Sequence, residues 1–451
     1  MTFDLLLTNG TVATMDGDKP FGLVPDGAIG ITAGKIAWIG RAADAPAGGA
    51  GKTWDLGGKL VTPGLVDPHT HIVYGEEGLV DFEVLSEGGM RWDLGGKVVT
   101  PGLVDPHTHI VYGEEGLVDF EVLSQGGGRW DLEPKKAGVG GMARRTRLLS
   151  EEALYEATRA RVSRLIANGV TTVESKSGAG LDLETELRQM RVSRALGRDL
   201  PVTVVSTFMG AHGLAPEYAG RRDDYVDFMC STVLPEAVRQ GVVDQVDGFC
   251  DKVGFSHEQM GRLFDKAQSY GLPVKLHSDQ YTDFGAGTVV AKYRGLSADH
   301  NEYVSLATAR AMAEAGTVAT LLPGAHFILH ETRKPPVETF RELGVPMALA
   351  TNSNPVSSPT VSPTSQMNLA CYLFRLSAEE ALMGFTVNAA RALGLSDSAG
   401  RIAVGRAADV AVWDADDPRA LSYALGGVPC LGVVKKGVVV HQAPSPQFPR
   451  Q

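Results

Sequence analysis

Histidines at short, regular spacing are the first chemically loaded feature of this chain. The stretch GLVDPHTH occurs at 64–71 and again at 102–109, so His69/His71 and His107/His109 form two His-x-His pairs. In an extended segment, residues i and i+2 point to the same face, so either pair can offer two imidazoles to one cation. Three further histidines close apolar, strand-like runs. PVKLH ends in His277, the run from Val202 leads on to His212, and LSADH ends in His300. The run VPMALA is followed by Thr351 and Asn352. Taken singly, a histidine reads first as a satisfied structural residue, and His257, His326, His330 and His441 are read that way. Taken together, the pair and the three strand-end histidines point to a mononuclear site with nitrogen and oxygen donors. Zn²⁺ or Fe²⁺ suits imidazole best. Such an ion brings the pKa of a bound water near neutrality, which makes hydrolysis the default reaction.

These residues need strands to carry them. Apolar runs of strand length recur along the middle of the chain: GVTTVE, VTVVS, PVKLH, TVATLL and VPMALA. Helix-like stretches such as Glu151–Ala167 lie between them. Continuous apolar strands alternating with helices predict a parallel sheet buried on both faces. Six or more such units favour a closed barrel, whose chemistry sits at the C-terminal ends of the strands. The two ends of the chain read differently. Short strands separated by Gly/Asp turns occur before residue 61 and again in ADVAVW and GVVKKGVVV, which predicts one small antiparallel sheet built from both termini.

The repeat is longer than its histidines. Trp54–Arg91 and Trp92–Arg129 align without a gap and differ only at Leu60/Val98, Glu87/Gln125 and Met90/Gly128. Two copies are too few for a solenoid. A barrel has one place for its first strand, so one copy is expected in the fold and the other as an insertion in a surface loop, where added length costs little. The second copy is the expected working one, because the chain runs from Glu121 through Arg147 straight into the first barrel helix. The first would then be extra length near Gly48–Lys52. The converse, with His69/His71 at work, puts the insertion in the active-site loop.

Bulk composition excludes several function classes. The 451 residues carry 42 basic and 53 acidic side chains, a net −11. That balance repels nucleic acid and anionic membranes. Four cysteines, Cys230, Cys250, Cys371 and Cys430, lack CxxC spacing, against a disulfide framework or a Cys-ligated zinc. No run of 18 apolar residues and no leader pattern is seen, so a cytoplasmic protein with a small-molecule substrate is expected. No Gly-x-Ser-x-Gly elbow or Walker lysine is present.

An ordered set of motifs goes further: VTPGLVDPHTH, GVTTVESKSGAGLDLETELRQMRV, TFMGAHGLAPEYAGR, PVKLHSDQ, LSADHNEY, TVATLLPGA, ETRKPPV and ADVAVWD. It resembles the amidohydrolase superfamily, and within it the imidazolonepropionase family, from Val61 or Val99 to about Val440. The resemblance implies an α/β fold: a metal-dependent (β/α)₈ TIM barrel over 102–395, and a small β-sandwich domain made of 1–101, including the duplicated insertion, and 396–451. It implies a hydrolase that opens the ring amide of 4-imidazolone-5-propanoate to N-formimino-L-glutamate in histidine degradation. His107, His109 and His277 would hold one divalent metal. His300 would orient or protonate the reacting groups, His212 would contact substrate, and Gln280 would lie near the leaving nitrogen. A homodimer is expected by analogy.

Four positions depart from that pattern. Where the family has a metal-binding Asp that takes the water's proton, this chain has Asn352, which can offer a carbonyl oxygen but is not a base. Asp279 is a conceivable substitute at i+2 from His277. The family's substrate-gripping Arg is Gly116 here, a later Tyr is Arg129, and the Tyr of KSGYGLD is Ala179. Arg129 either supplies the displaced cation or is a solvated loop residue. The altered pocket also allows a related amidohydrolase with another cyclic amide or amidine. Two further readings are a catalytically impaired metal-binding homologue and a binuclear enzyme with a carbamylated Lys176.

Overall fold

The computed structural model describes residues 2–14, 16, 22–61, 97–133 and 137–443. Sixteen strands are found among them, in two sheets of eight. The terminal sheet comprises β1 (Phe3–Ala13), β2 (Leu23–Thr32), β3 (Lys35–Arg41), β4 (Ala50–Val61) and β5 (Val98–Pro101). The barrel follows with β6 (Leu103–Asp105), β7 (Val170–Lys176), β8 (Thr203–Ala211), β9 (Gln245–Cys250), β10 (Leu276–Ser278), β11 (Ser297–His300), β12 (Val318–Leu321) and β13 (Met347–Leu349). The chain then returns to the first sheet through β14 (Val410–Trp413), β15 (Cys430–Lys435) and β16 (Val438–Gln442).

Every paired neighbour in the second sheet is parallel, in the order β6 to β13. The circle closes at the C-terminal ends of the strands. There the Asn352 amide donates to the His107 carbonyl at 3.0 Å, and the His109 amide to the Ser353 carbonyl at 3.0 Å. Helices cover the outside, and their starts are written in sequence. Ser150, Asp182 and Ser256 each accept from the amide three residues on, satisfying orphan helix donors. No helix of the described residues is long and apolar enough to cross a membrane.

The terminal strands form the order β16-β15-β14-β5-β4-β1-β2-β3. This sheet folds over so that its far ends meet: Lys35 bridges Ala407, and the Ala408 amide donates to Gly34 at 2.9 Å. Inside lie Leu7, Val12, Ile29, Ile31, Trp54, Val99, Val410 and Val412.

The repeat resolves in an unexpected way. The stretch near Gly48–Lys52, where the extra length was expected, leads into β4, and residues 62–96 lie outside the described residues. Trp54–Val61 of the first copy pairs with β1, while Val98–Pro101 of the second pairs with β14. Val61 and Val99, the same position of the two copies, face each other in parallel register. The two copies thus contribute to adjacent strands of one sheet, meeting at this equivalent position. The first pair, His69/His71, lies outside the described residues. The second copy runs on through β6 into the barrel.

Candidate metal and active site

β6 ends at Asp105, and the chain continues into His107-Thr108-His109 at the C-terminal mouth of the barrel. His107 and His109 are buried, at 0% and 4% exposure. His277 comes from β10 and His300 from the end of β11, and His212 follows β8. These five imidazoles form one cluster. Ring centroids lie 4.4 Å apart for His107 and His277, 4.6 Å for His109 and His212, and 5.3 Å for His277 and His300.

Ring nitrogens show which faces are committed. The Nδ1 of His107 lies 2.6 Å from Asp299 Oδ2, and that of His277 lies 3.2 Å from Asp247 Oδ2. The Asp299 carboxylate at His107 Nδ1 fixes the proton there and leaves Nε2 with its lone pair free to ligate, while Asp247 lies within ion-pair distance of His277 Nδ1 without hydrogen-bonding it. Accordingly, His107 Nε2 is buried with no hydrogen-bond partner among the described residues. The Nε2 atoms of His109 and His277 face one another at 3.2 Å. His212 is turned the other way, with Nδ1 at 3.0 Å from the Gly178 carbonyl. Burial pushes His107, His109 and His277 well below the ordinary imidazole range, helped by the charge of Lys176 at His107 and His277. It brings His212 down to about 4 and His300 to about 3. All five are therefore neutral near pH 7, the form that binds metal.

This donor set fits a divalent cation. Ligand atoms of His107, His277 and His300 lie within 4.8 Å of one another, as do those of His109, His212 and His277. An unpartnered buried nitrogen such as His107 Nε2 is costly, and a cation held by the cluster would satisfy it. His300 and Asn352 both hold left-handed backbone, at φ 82° and 51°. Strain of about 1–3 kcal/mol in a non-glycine residue persists where surrounding structure demands it.

The cluster opens into a cavity lined by His109, His212, His277, Gln280, His300 and Asn352 together with Arg129. Asn352 turns its Oδ1 toward Asn354 Nδ2 at 3.2 Å. Arg129 is not a solvated loop residue. It lies over the Tyr281 ring at 4.8 Å and donates to its hydroxyl at 3.0 Å.

Some expected residues fall elsewhere. Gly116 and Ala179 do not line this cavity. A Cβ at Gly116 would come within 1.8 Å of the Pro355 carbonyl, so no arginine fits there on this backbone. Ala179 packs with Tyr112 and Met142. Asp279 is not a substitute base: its oxygens accept from the amides of Phe284, Ala286 and Gly287 and from Ser278 Oγ, away from the cavity. Lys176 is not available for carbamylation, which needs a neutral amine. Its Nζ sits 2.6 Å from Asp247 and 2.8 Å from Glu174. Burial works against its charge, but Asp247, Glu174 and Asp299 outweigh it and hold its pKa above the ordinary lysine value.

Sequence reasoning missed Asp247 and Asp299, which steady the imidazoles, and Lys275 beneath them. The signal was present: Glu174, Lys176 and Lys275 are charges inside otherwise apolar strand runs, and such a charge is expected to have a buried partner.

Residues 98–440 match the Amidohydrolase family. The imidazolonepropionase of Ralstonia nicotianae is 46% identical over 437 residues, covering 96% of this chain and 98% of that protein. That of Yersinia enterocolitica is 41% identical, covering 96% and 97%. Among solved structures, a mutant atrazine chlorohydrolase of Arthrobacter aurescens, complexed with zinc and atraton, superposes with a TM-score of 0.67 at 17% identity, covering 97% of this chain and 95% of that one. A Xanthomonas campestris adenosine deaminase with bound zinc gives a TM-score of 0.65 at 17% identity, covering 97% and 93%. These two share the fold. With the family match over most of the chain and relatives aligned nearly end to end, the chain belongs to the amidohydrolase family, in its imidazolonepropionase branch.

Proposed function

We propose that this protein is a metal-dependent hydrolase that opens the ring amide of 4-imidazolone-5-propanoate, giving N-formimino-L-glutamate in histidine degradation. The observation that carries this reading is the packing of the His107, His109 and His277 imidazoles against one another, beside a cavity lined by His109, His277, His300, Gln280 and Arg129, in a chain 46% identical to an imidazolonepropionase.

In this reading His107, His109 and His277 hold one divalent ion, Zn²⁺ or Fe²⁺, and Asn352 offers its carbonyl oxygen beside them. The ion, when bound, supplies an acidified water as nucleophile near neutral pH. The chain's residues do the rest. Arg129, fixed against Tyr281, grips the propionate and so sets the ring's position. Gln280 aligns the ring amide. His300, neutral and buried, orients the reacting groups and would relay to the departing nitrogen the proton that it takes from the attacking water. His212, tethered to Gly178, packs against the substrate. The enzyme works in the cytoplasm as a homodimer; its four cysteines are free thiols, which suits a reducing compartment.

Asn352 removes the carboxylate expected to take the water's proton. General-base assistance is worth about 10²–10⁴-fold, so this protein turns over slowly. The test is product formation from 4-imidazolone-5-propanoate by the parent and by Asn352→Asp. Faster turnover by the variant supports the reading; loss of turnover in the variant contradicts the role given to this position. A second reading, a related amidohydrolase acting on another cyclic amide, is favoured by Gly116, where Pro355 leaves no room for a gripping arginine. Neither form turning over this substrate while binding metal would select it.

A further inference from the structure

Beneath the imidazoles the barrel interior is charged. Lys176, Lys275, Glu174, Asp247 and Asp299 are all fully buried, at 0–1% exposure. Lys176 Nζ reaches Asp247 Oδ2 at 2.6 Å, Glu174 Oε2 at 2.8 Å and Asp299 Oδ2 at 3.5 Å. Lys275 Nζ reaches Glu174 Oε2 at 2.9 Å and Asp299 Oδ2 at 3.7 Å, and donates to the Pro106 carbonyl at 2.5 Å, just ahead of His107. Glu174 also accepts from Thr207 Oγ1 at 2.6 Å, and Asp299 from Ser297 Oγ at 2.5 Å.

Barrels of this type fill their interior with branched apolar side chains. Buried ion pairs rarely add stability over such packing, because desolvation offsets their attraction. Five buried charges at one level of the barrel therefore call for another role. Their contacts supply it. Of the three carboxylates that the lysines contact, two, Asp299 and Asp247, are those that approach His107 Nδ1 and His277 Nδ1. Three carboxylates face two ammoniums here, so the cluster carries an excess negative charge that a dication offsets.

We propose that Lys176 and Lys275 are positioning residues of the metal centre, holding Asp247 and Asp299 against the Nδ1 atoms of His277 and His107 so that both Nε2 atoms turn toward the cation. The inference rests on the metal-site reading above and extends it one layer down. Removing either ammonium frees a carboxylate to shift, and the imidazole packed beside it loses its orientation. Partners in this outer layer typically change metal affinity by about 10–100-fold.

The test uses the full-length protein stripped of metal and titrated with Co²⁺ against a competing chelator, with the visible cobalt absorption recorded. Lys176→Met and Lys275→Met are each expected to weaken cobalt binding about 10–100-fold and to shift the absorption band. Glu174→Gln/Lys275→Met removes one charge of each sign, so it carries the comparison if a single variant does not fold; the same weakening and shift are expected. A folded variant with parental affinity and an unmoved band overturns the proposal, even if its melting temperature has dropped, because the lysines then serve folding alone. A parent protein that binds no cobalt overturns the metal-site reading itself, and this inference with it.

Discussion

The molecule has two interiors, filled by opposite rules. The terminal sheet closes over Leu5, Leu7, Val12, Ile29, Ile31, Trp54 and Val410, an apolar core throughout. The C-terminal mouth of the barrel buries His107, His109, His277 and His300, with a half-buried His212 beside them, above Lys176, Lys275, Glu174, Asp247 and Asp299. Burying apolar surface stabilises by about 25 cal/mol per Å², whereas burying charge costs free energy unless every group is paired. The first interior therefore supplies stability. The second spends some of it to hold neutral imidazoles with their lone pairs converging. The difference teaches where a substitution should be felt as lost folding and where as lost chemistry.

The largest expected effect separates the two. His107→Ala or His277→Ala should abolish metal binding and turnover while the protein stays folded, seen as lost metal content with a retained far-UV spectrum. Asn352→Asp should raise turnover by about 10²–10⁴-fold, measured by product formation. Leu7→Ala in the sheet core, where Leu7 is 1% exposed, should cost about 2–5 kcal/mol of stability. Its kcat per folded molecule should match the parent's; a large fall in kcat would break the division between the two interiors. Arg129→Ala should raise KM, since a hydrogen bond to a charged group is worth about 1.5–3 kcal/mol, with a smaller change in kcat.

Acid should act through both regions. Burial pushes His326, beside the barrel, and His441, on β16, down to about 4. Both are neutral in the fold, whereas in the unfolded chain they take up protons below about pH 6.5. The unfolded chain therefore binds more protons between those values, and stability is lost as pH falls from about 6.5 toward 4. Urea midpoints across that range should drop on the acid side. The smallest effect is expected in the first copy of the repeat. His69→Ala/His71→Ala should leave metal content and turnover at parental levels, while the same change at His107 and His109 removes both.

Much of this was legible before any coordinates. Strand-end histidines are visible because β6 leads directly into His107 and His109, and β10 and β11 are short strands with His277 and His300 at or next to their ends. The alternation of strands and helices points to a parallel barrel, and Arg129 reads from sequence either as the displaced cation or as a solvated loop residue. What stayed hidden depends on distance in space rather than along the chain. Asp299 lies 192 residues from the imidazole it supports, and no local pattern announces that pairing. Asp279 shares a strand face with His277 in an ideal strand, but β10 ends at Ser278 and Asp279 adopts φ 48°, which turns its carboxylate toward backbone amides. The path of the repeat was hidden for another reason. Near-identical copies compete for the same sheet positions, and the structure seats Val61 and Val99 side by side.

The central claim is that the imidazole cluster holds a metal on which ring opening depends. The most direct measurement is turnover of 4-imidazolone-5-propanoate by the parent protein before chelation, after chelation and after adding back Zn²⁺ or Fe²⁺, with metal content followed throughout. About one ion per chain, as a mononuclear site implies, with activity lost on stripping and regained on refilling, is the expected result. Undiminished turnover by the metal-free protein would contradict the claim.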